Sequence, residues 1–362
     1  MVATTTPSTA ALPYGGSFVP LPAVPGAPGF QGFQCEVLDV PVAAQDCLRC
    51  SQHGAPGCPM SPAILQRVIN TQRPDDFAMS IALDGGAQFG VSVTELLGCP
   101  RKLRLEAQNG YYVKPSSMTS ILVGDSVHGA LANYEADNAL PEVRLQWRFA
   151  YGNESLGIPR TSVILTGQID LAELTPAGWF ITDYKFTQNA PRRSYSFACV
   201  NCGEEVLTGI TDRRRLAKIP LVCRNCGGLT RKDVVEIPMP PQARSGHAMQ
   251  VALYALLVQK NAALFAQLLK DRNPDAPADE NTPIAGAQLI YLPGPIRCPV
   301  EVDINAAFAL VKQRLTALLQ PELPGIVTEK DNLWQCNYCP VRYACEREHG
   351  GPVGSEAELA DE

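Results

Sequence analysis

"GQIDLAELTPAGWFITDYKF", residues 167–186, sets two β-rich runs around a turn signal, Thr175-Pro176-Ala177-Gly178. A four-residue loop there pairs Leu174 with Trp179, and counting back along the ladder puts Asp170 opposite Asp183. Opposed side chains lie about 5 Å apart at Cβ, where like charges destabilise a sheet. Lys185, two residues beyond Asp183, points to the same face. A divalent cation between the acids removes the conflict, and an oxygen-rich site suits Mg²⁺ or Mn²⁺. The lysine is then placed to orient or help deprotonate an attacking water, or to balance charge on a phosphate. An isolated Asp-x-Lys also fits a plain surface ion pair, which is worth little.

The rest of the chain supplies context. Its 362 residues allow one large domain or two modest ones, and a hydrophobic fraction of 46% is ordinary for a folded protein. No run of 18 apolar residues predicts a membrane span. The N-terminus carries no basic stretch followed by an apolar one, so a cytoplasmic location is expected. A net charge of −6 excludes a generally basic nucleic-acid coat. Residues 191–232 nevertheless hold nine Lys or Arg against three Asp or Glu, a local excess that suits phosphate contact. A solvated basic loop is the plain alternative.

Residues 1–34 contain no charged side chain, six prolines and five glycines, and predict a disordered arm. Residues 350–362, with Glu356, Glu358, Asp361 and Glu362, predict an acidic disordered tail. Between them, residues 92–110 open on a Ser/Thr cap with Glu95 and predict a helix broken or kinked at Pro100. Further helices are expected at 119–137, 247–270 and 304–320, and strands at 143–151, 161–186 and 286–292. Helix, mixed strands, then helices imply an α/β layered fold.

His128 lies upstream in Gly124-x-x-x-His128, Gly167-x-x-Asp170 and Asp183-Tyr184-Lys185 follow on strands, and Gln250-x-x-x-Tyr254 shares one helix face. Singly, each reads as ordinary packing. In this order the set resembles the PD-(D/E)xK nuclease superfamily, in its RecB-type branch. The resemblance implies a restriction-endonuclease-like core, a mixed central sheet flanked by helices, over 91–190 and 236–349. It makes Asp170 and Asp183 metal ligands, His128 a further ligand, and Lys185 the catalytic lysine. Gln250 and Tyr254 match the trailing motif that supports the site and the DNA strand.

Thirteen cysteines, most in Cys-x-x-Cys pairs, point to metal ligation in a reducing compartment. Cys336, Cys339 and Cys345, with the distant Cys99, resemble the iron–sulfur branch of that superfamily, which includes CRISPR-associated exonucleases and AddB-type nuclease domains. There a four-iron cluster staples the two ends of the domain. A four-cysteine zinc site fits the same spacing. Cys199-x2-Cys202 and Cys223-x2-Cys226 carry a zinc-ribbon signal and form an insertion over 191–235. Its Arg213, Arg214 and Arg215 make it a DNA handle or, equally, part of a structural zinc clip. Cys35, Cys47, Cys50 and Cys58, with His53 as an alternative ligand, offer a second zinc site in a small module over 35–90; free structural cysteines fit as well. Cys298 has no partner in sequence and reads as a buried small hydrophobe.

The expected protein is therefore a Mg²⁺- or Mn²⁺-dependent DNA nuclease, an exonuclease on single strands or DNA ends, with an iron–sulfur cluster and Zn²⁺. Its partners are DNA and other proteins of a DNA-processing complex, with no membrane. The rival is a DNA-binding module without turnover.

Overall fold

The structure, a computed structural model, describes residues 10–11, 17–18, 29–54, 57–71, 89–187, 189–211, 214, 218–326, 335–336 and 339–349. Short strands open it: β1 (Ala10–Ala11), β2 (Ser17–Phe18), β3 (Gly29–Gln34) and β4 (Pro41–Ala43), before α1 (Ala44–Gln52) and α2 (Pro62–Thr71). Next come β5 (Phe89–Ser92), α3 (Val93–Leu97), α4 (Pro100–Gln108), β6 (Gly110–Val113) and α5 (Pro115–Leu131). Three long strands follow, β7 (Ala139–Asn153), β8 (Ile158–Thr175) and β9 (Gly178–Phe186). Five short ones are β10 (Ser194–Cys199), β11 (Glu205–Ile210), β12 (Leu221–Cys223), β13 (Gly227–Leu229) and β14 (Val234–Met239). The remaining elements are α6 (Ser245–Lys260), α7 (Ala262–Arg272), β15 (Ile284–Leu292), β16 (Ile296–Val300), α8 (Ile304–Leu319) and α9 (Arg342–His349). Several mixed sheets with flanking helices make this a mixed α/β protein. It divides into two compact units, residues 1–127, 146–166 and 308–362 in one and residues 128–145 and 167–307 in the other.

In the first unit, β3 pairs antiparallel with β4 and parallel with β6. Composition assigns residues 29–34 to the end of a disordered arm; instead they form β3. The reason is packing. Phe33 is fully buried with Leu65 and Val68 of α2, which offsets the entropy of ordering a segment with two glycines in six residues. Gly32 is required there, since a Cβ would stand 2.1 Å from the carbonyl oxygen of Val42. The expected helix over 92–110 is two helices. Ser92 and Glu95 form a reciprocal capping box at the start of α3, the chain breaks at Gly98 and Cys99, and Pro100 starts α4.

In the second unit, β8 and β9 pair antiparallel in the expected register, Leu174 with Trp179. Thr175 also pairs with Gly178, so the connection is the two residues Pro176 and Ala177 rather than four. Gly178 has φ +124°, and a Cβ there would lie 2.2 Å from the Pro283 carbonyl oxygen. β9 runs parallel to β15, which pairs antiparallel with β16. The helix α6 packs on β15 and β9 and buries every residue from Gln250 to Val258. The long helix expected over 247–270 bends by 83° between α6 and α7. At the break, Asn261 leaves helical φ/ψ and its side-chain amide donates to the Leu257 carbonyl at 2.8 Å. The bend lets Phe265 of α7 meet the buried Trp179 edge-on at 4.8 Å. No single helix among the described residues is long and apolar enough to cross a membrane; the bent pair α6–α7 reaches that length and composition.

The cysteine-rich stretch forms its own small layer. β10 lies between β11 and β14 in an antiparallel sheet, and β12 and β13 make a hairpin. Phe197 and Leu221 are its buried apolar pair.

Candidate active site and metal centres

Asp170 and Asp183 stand one step beyond the paired residues Leu171 and Thr182. Here the ladder opens, and the main-chain N–H of Tyr184 donates to Oδ2 of Asp170 at 2.7 Å. That bond fixes one carboxylate oxygen. The other, Oδ1, lies 3.3 Å from Nδ1 of His128, near the end of α5. His128 Nδ1 also stands 3.1 Å from Oε1 of Glu142 on β7. Glu142 in turn accepts a short hydrogen bond from the Gln168 amide, whose oxygen accepts from Arg144 at 3.0 Å. Ligand atoms of His128, Glu142 and Asp170 all fall within 4.8 Å of one another.

Asp183 is almost wholly buried, and Lys185 Nζ stands 2.8 Å from its Oδ2. Beyond that charge-assisted contact, Oδ2 accepts no further hydrogen bond from the described protein atoms. Burial, and then the charge of Asp183, push the Asp170 carboxyl up to about 7, against His128, the Tyr184 N–H and Lys185. Burial also raises Asp183, although Lys185 pulls it down. His128 is raised above its ordinary value by its bond to Glu142 and by the charge of Asp170, against desolvation. Two buried carboxyls held above their usual range beside an imidazole fit a divalent cation with oxygen and imidazole ligands. Of the ligands expected from sequence, His128 and Asp170 join the close group; Glu142 completes it, and Asp183 stands beside it in the pair with Lys185.

Glu142 has no signature in the sequence. It adopts φ +51°, which for a non-glycine residue costs about 1–3 kcal/mol and is found where surrounding structure enforces it. Pro141 and the onset of β7 give no hint of that. His247 also falls outside the sequence motifs, yet it sits three residues before Gln250 on α6 and shares its face. Its Nδ1 lies 3.0 Å from the Tyr291 hydroxyl. Burial, helped by Lys185 and Arg244, pushes His247 down to about 4, so it is neutral beside the lysine. Gln250 donates to the Tyr254 hydroxyl at 2.8 Å, and both are buried residues of α6.

The four sulfurs of Cys199, Cys202, Cys223 and Cys226 also lie within 4.8 Å of one another. Tetrahedral zinc with bonds of about 2.3 Å sets thiolates about 3.8 Å apart, so this group is close enough to hold an ion. Each Cys-x-x-Cys is followed by a glycine, Gly203 with φ +74° and Gly227 with φ +84°, which turn the two knuckles. The Cys223 thiol donates to Glu204 at 3.0 Å, and that bond drives its pKa up to about 12. Cys202 moves down to about 7, chiefly through a backbone hydrogen bond from Glu204. Arg214 is exposed in this insertion, whereas Arg213 and Arg215 lie outside the described residues.

In the first unit, Cys99, Cys336, Cys339 and Cys345 line one pocket together with Arg101 and Lys102. The Arg101 Nε donates to Cys345 Sγ at 3.2 Å. Cys47 and Cys50 lie on α1, and Cys35 Sγ accepts the Leu38 N–H at 3.4 Å. The Cys47 thiol is raised to about 12 by burial and then by Cys58, Cys35 and Cys50, so these four gather too. Neither set closes to within the 4.8 Å spacing of the ribbon group. Cys298 is fully buried on β16, as expected of a small hydrophobe.

No protein-family model matches the chain, and no curated protein matches it. Among solved structures, one titled "Crystal structure of SSO0001" aligns over 78% of this chain and 92% of its own length. The two share 14% identity with a TM-score of 0.37, a likeness too loose to bear on fold or function.

Proposed function

We propose that the chain is a Mg²⁺- or Mn²⁺-dependent DNA nuclease of the PD-(D/E)xK type, in the RecB-like branch that its motifs resemble. One observation carries the reading: His128, Glu142 and Asp170 converge beside a buried Asp183 that is paired with Lys185. Such a group of acids is unfavourable by itself, and a cation is its natural complement. A divalent ion bound there would supply Lewis-acid polarisation of a phosphodiester and a more acidic water.

The protein's own groups have separate tasks. Glu142 and Asp170, held by Gln168 and the Tyr184 N–H, present carboxylate oxygens at fixed positions. Lys185 keeps a positive charge at the edge of the acids, where negative charge grows on the phosphate during attack. His247, neutral beside it, adds no second charge to compete for the same position. These groups address phosphate rather than base edges, so little sequence preference is expected. A binding module without turnover gains nothing from buried acids of this kind.

The four-thiolate group of residues 199–226 is read as a zinc ribbon, and its basic flank as a phosphate handle. The wider set of Cys99, Cys336, Cys339 and Cys345 suits a four-iron cluster, whose thiolate corners stand farther apart than those around one ion. Incubating labelled single-stranded DNA with the protein and Mn²⁺, with and without chelator, tests the reading: metal-dependent shortening supports it, and intact DNA under both conditions refutes it.

A further inference from the structure

The second unit has a cavity of about 390 Å³ that the proposed chemistry leaves unused. Its floor is one face of the sheet. Thr182 faces Gln288 across the ladder, Tyr184 faces Ile290, and Ile290 faces Arg297. Lys185 and Asp183 alternate to the other face, under α6. Tyr134, just past α5, stands at the side of the cavity and is 45% exposed. Asp170 lines it as well. The cavity thus meets the proposed cation site at one shared carboxylate.

We infer that this cavity receives the base and sugar of an unpaired nucleotide of the substrate strand, reached past the shared Asp170 edge rather than directly beside the phosphate that Lys185 faces. The inference rests on the nuclease reading and names the part of the substrate that reading leaves open. Size fits first, since pockets for small organic groups run from about 300 to 1,000 Å³. Charge then excludes phosphate as the main occupant. Arg297 is balanced by Glu173 and Asp170 in the same lining, so the cavity has no net positive charge. The chemistry left is that of a base. Tyr134 and Tyr184 offer aromatic surface for stacking, which tolerates any base. Gln288 donates one amide hydrogen to Thr182 at 3.0 Å, and the rest of its amide is available to a base edge. A base in a duplex is stacked and paired, and it enters such a recess only when turned out of the helix. The cavity therefore selects single strands and frayed ends.

The test uses the full-length protein and a walk of single abasic residues along a labelled oligothymidylate, cleaved in Mn²⁺. In the wild type, one abasic position should raise KM about tenfold, the loss of one stacked base. Tyr134→Ala should raise KM on the intact strand, Tyr134→Phe should restore it, and the abasic position should cost Tyr134→Ala less than it costs the wild type, since only Tyr184 and Gln288 then lose their partner. Because Tyr134 is 45% exposed and outside the buried core, its loss spares the fold. Gln288→Ala provides a second probe from the cavity floor, with a raised KM expected. Metal-dependent cleavage whose KM ignores both substitutions overturns the cavity's role and leaves the nuclease standing. A wild type that cleaves nothing overturns both.

Discussion

His128 and Glu142, 14 residues apart, are joined through Nδ1 and Oε1 at 3.1 Å. The bond ties the end of α5 to the start of β7 and presents Glu142 to Asp170, at the cost of a left-handed backbone at Glu142. Strain of that kind persists where the surrounding structure over-determines it. Glu142→Gln keeps the shape and removes the charge. It should weaken Mn²⁺ binding by about 10–100-fold, as loss of a ligand or of its close support does, with the fold intact. Calorimetric titration with Mn²⁺ reads this directly, and an unchanged affinity removes Glu142 from the site.

The acids make stability depend on pH in a set direction. Asp170 titrates near 7 in the fold and at an ordinary value of 3.8 when unfolded, so the folded chain binds the extra proton between those values. Stability from this group is complete below about pH 4 and falls as pH rises through about 7. His128 acts in the same direction, since a histidine raised by its partners loses that support as pH climbs through its folded value, whereas His247, lowered to about 4, opposes them between about pH 4 and its ordinary 6.5. Metal requires these groups deprotonated, so its contribution grows over the same interval. Metal-free protein should melt lower at pH 8 than at pH 5.5, by the part of the Asp170 and His128 effect that His247 does not offset, and the rise in Tm on adding Mn²⁺ should be larger at pH 8. Equal Mn²⁺ stabilisation at both pH values contradicts the assigned ligands.

The ribbon separates grip from chemistry. Neutralising Arg213, Arg214 and Arg215 should weaken binding to all sequences and flatten the salt dependence. The slope should fall by about 0.7 log–log units for each single-strand phosphate that the variant no longer neutralises. Turnover at saturating DNA should stay within about twofold, because the carboxylates lie elsewhere in the unit. Affinity measured at several salt concentrations decides the matter, and an unchanged slope makes the ribbon a structural clip. Cys223→Ser should then still lower zinc content by one ion and destabilise the insertion.

The cysteines of the first unit have a visible signature. Protein purified anaerobically with iron supplied should be brown with broad absorption in the visible, and Cys99→Ala or Cys336→Ala should remove the colour. A colourless protein containing only zinc under those conditions replaces the cluster with a four-cysteine zinc site.

Much of this is legible in the residues. The hairpin around Pro176 and Ala177 fixes the register of Asp170 and Asp183 because strand pairing has a strict period of two. The four-cysteine ribbon follows from knuckle spacing alone. Glu142 is hidden, because its role comes from a positive φ and a contact to another element, and neither leaves a local pattern. β3 is hidden by composition. Prolines and glycines read as an arm, while two phenylalanines within six residues are enough to seat a strand against α2. The break at Asn261 lies inside an unbroken apolar run, so periodicity does not reveal it.

The pair of Asp183 and Lys185 gives the most direct test. Lys185 is assigned to charge that develops on the phosphate, so Lys185→Met should lower kcat for single-stranded DNA in Mn²⁺ by about 10²–10³-fold. KM should change little, and Mn²⁺ affinity should be retained, since no ligand is removed. Single-turnover cleavage of labelled DNA by the wild type and this variant, at saturating Mn²⁺, is the measurement. A rate near that of the wild type, or a wild type with no metal-dependent cleavage, contradicts the assignment.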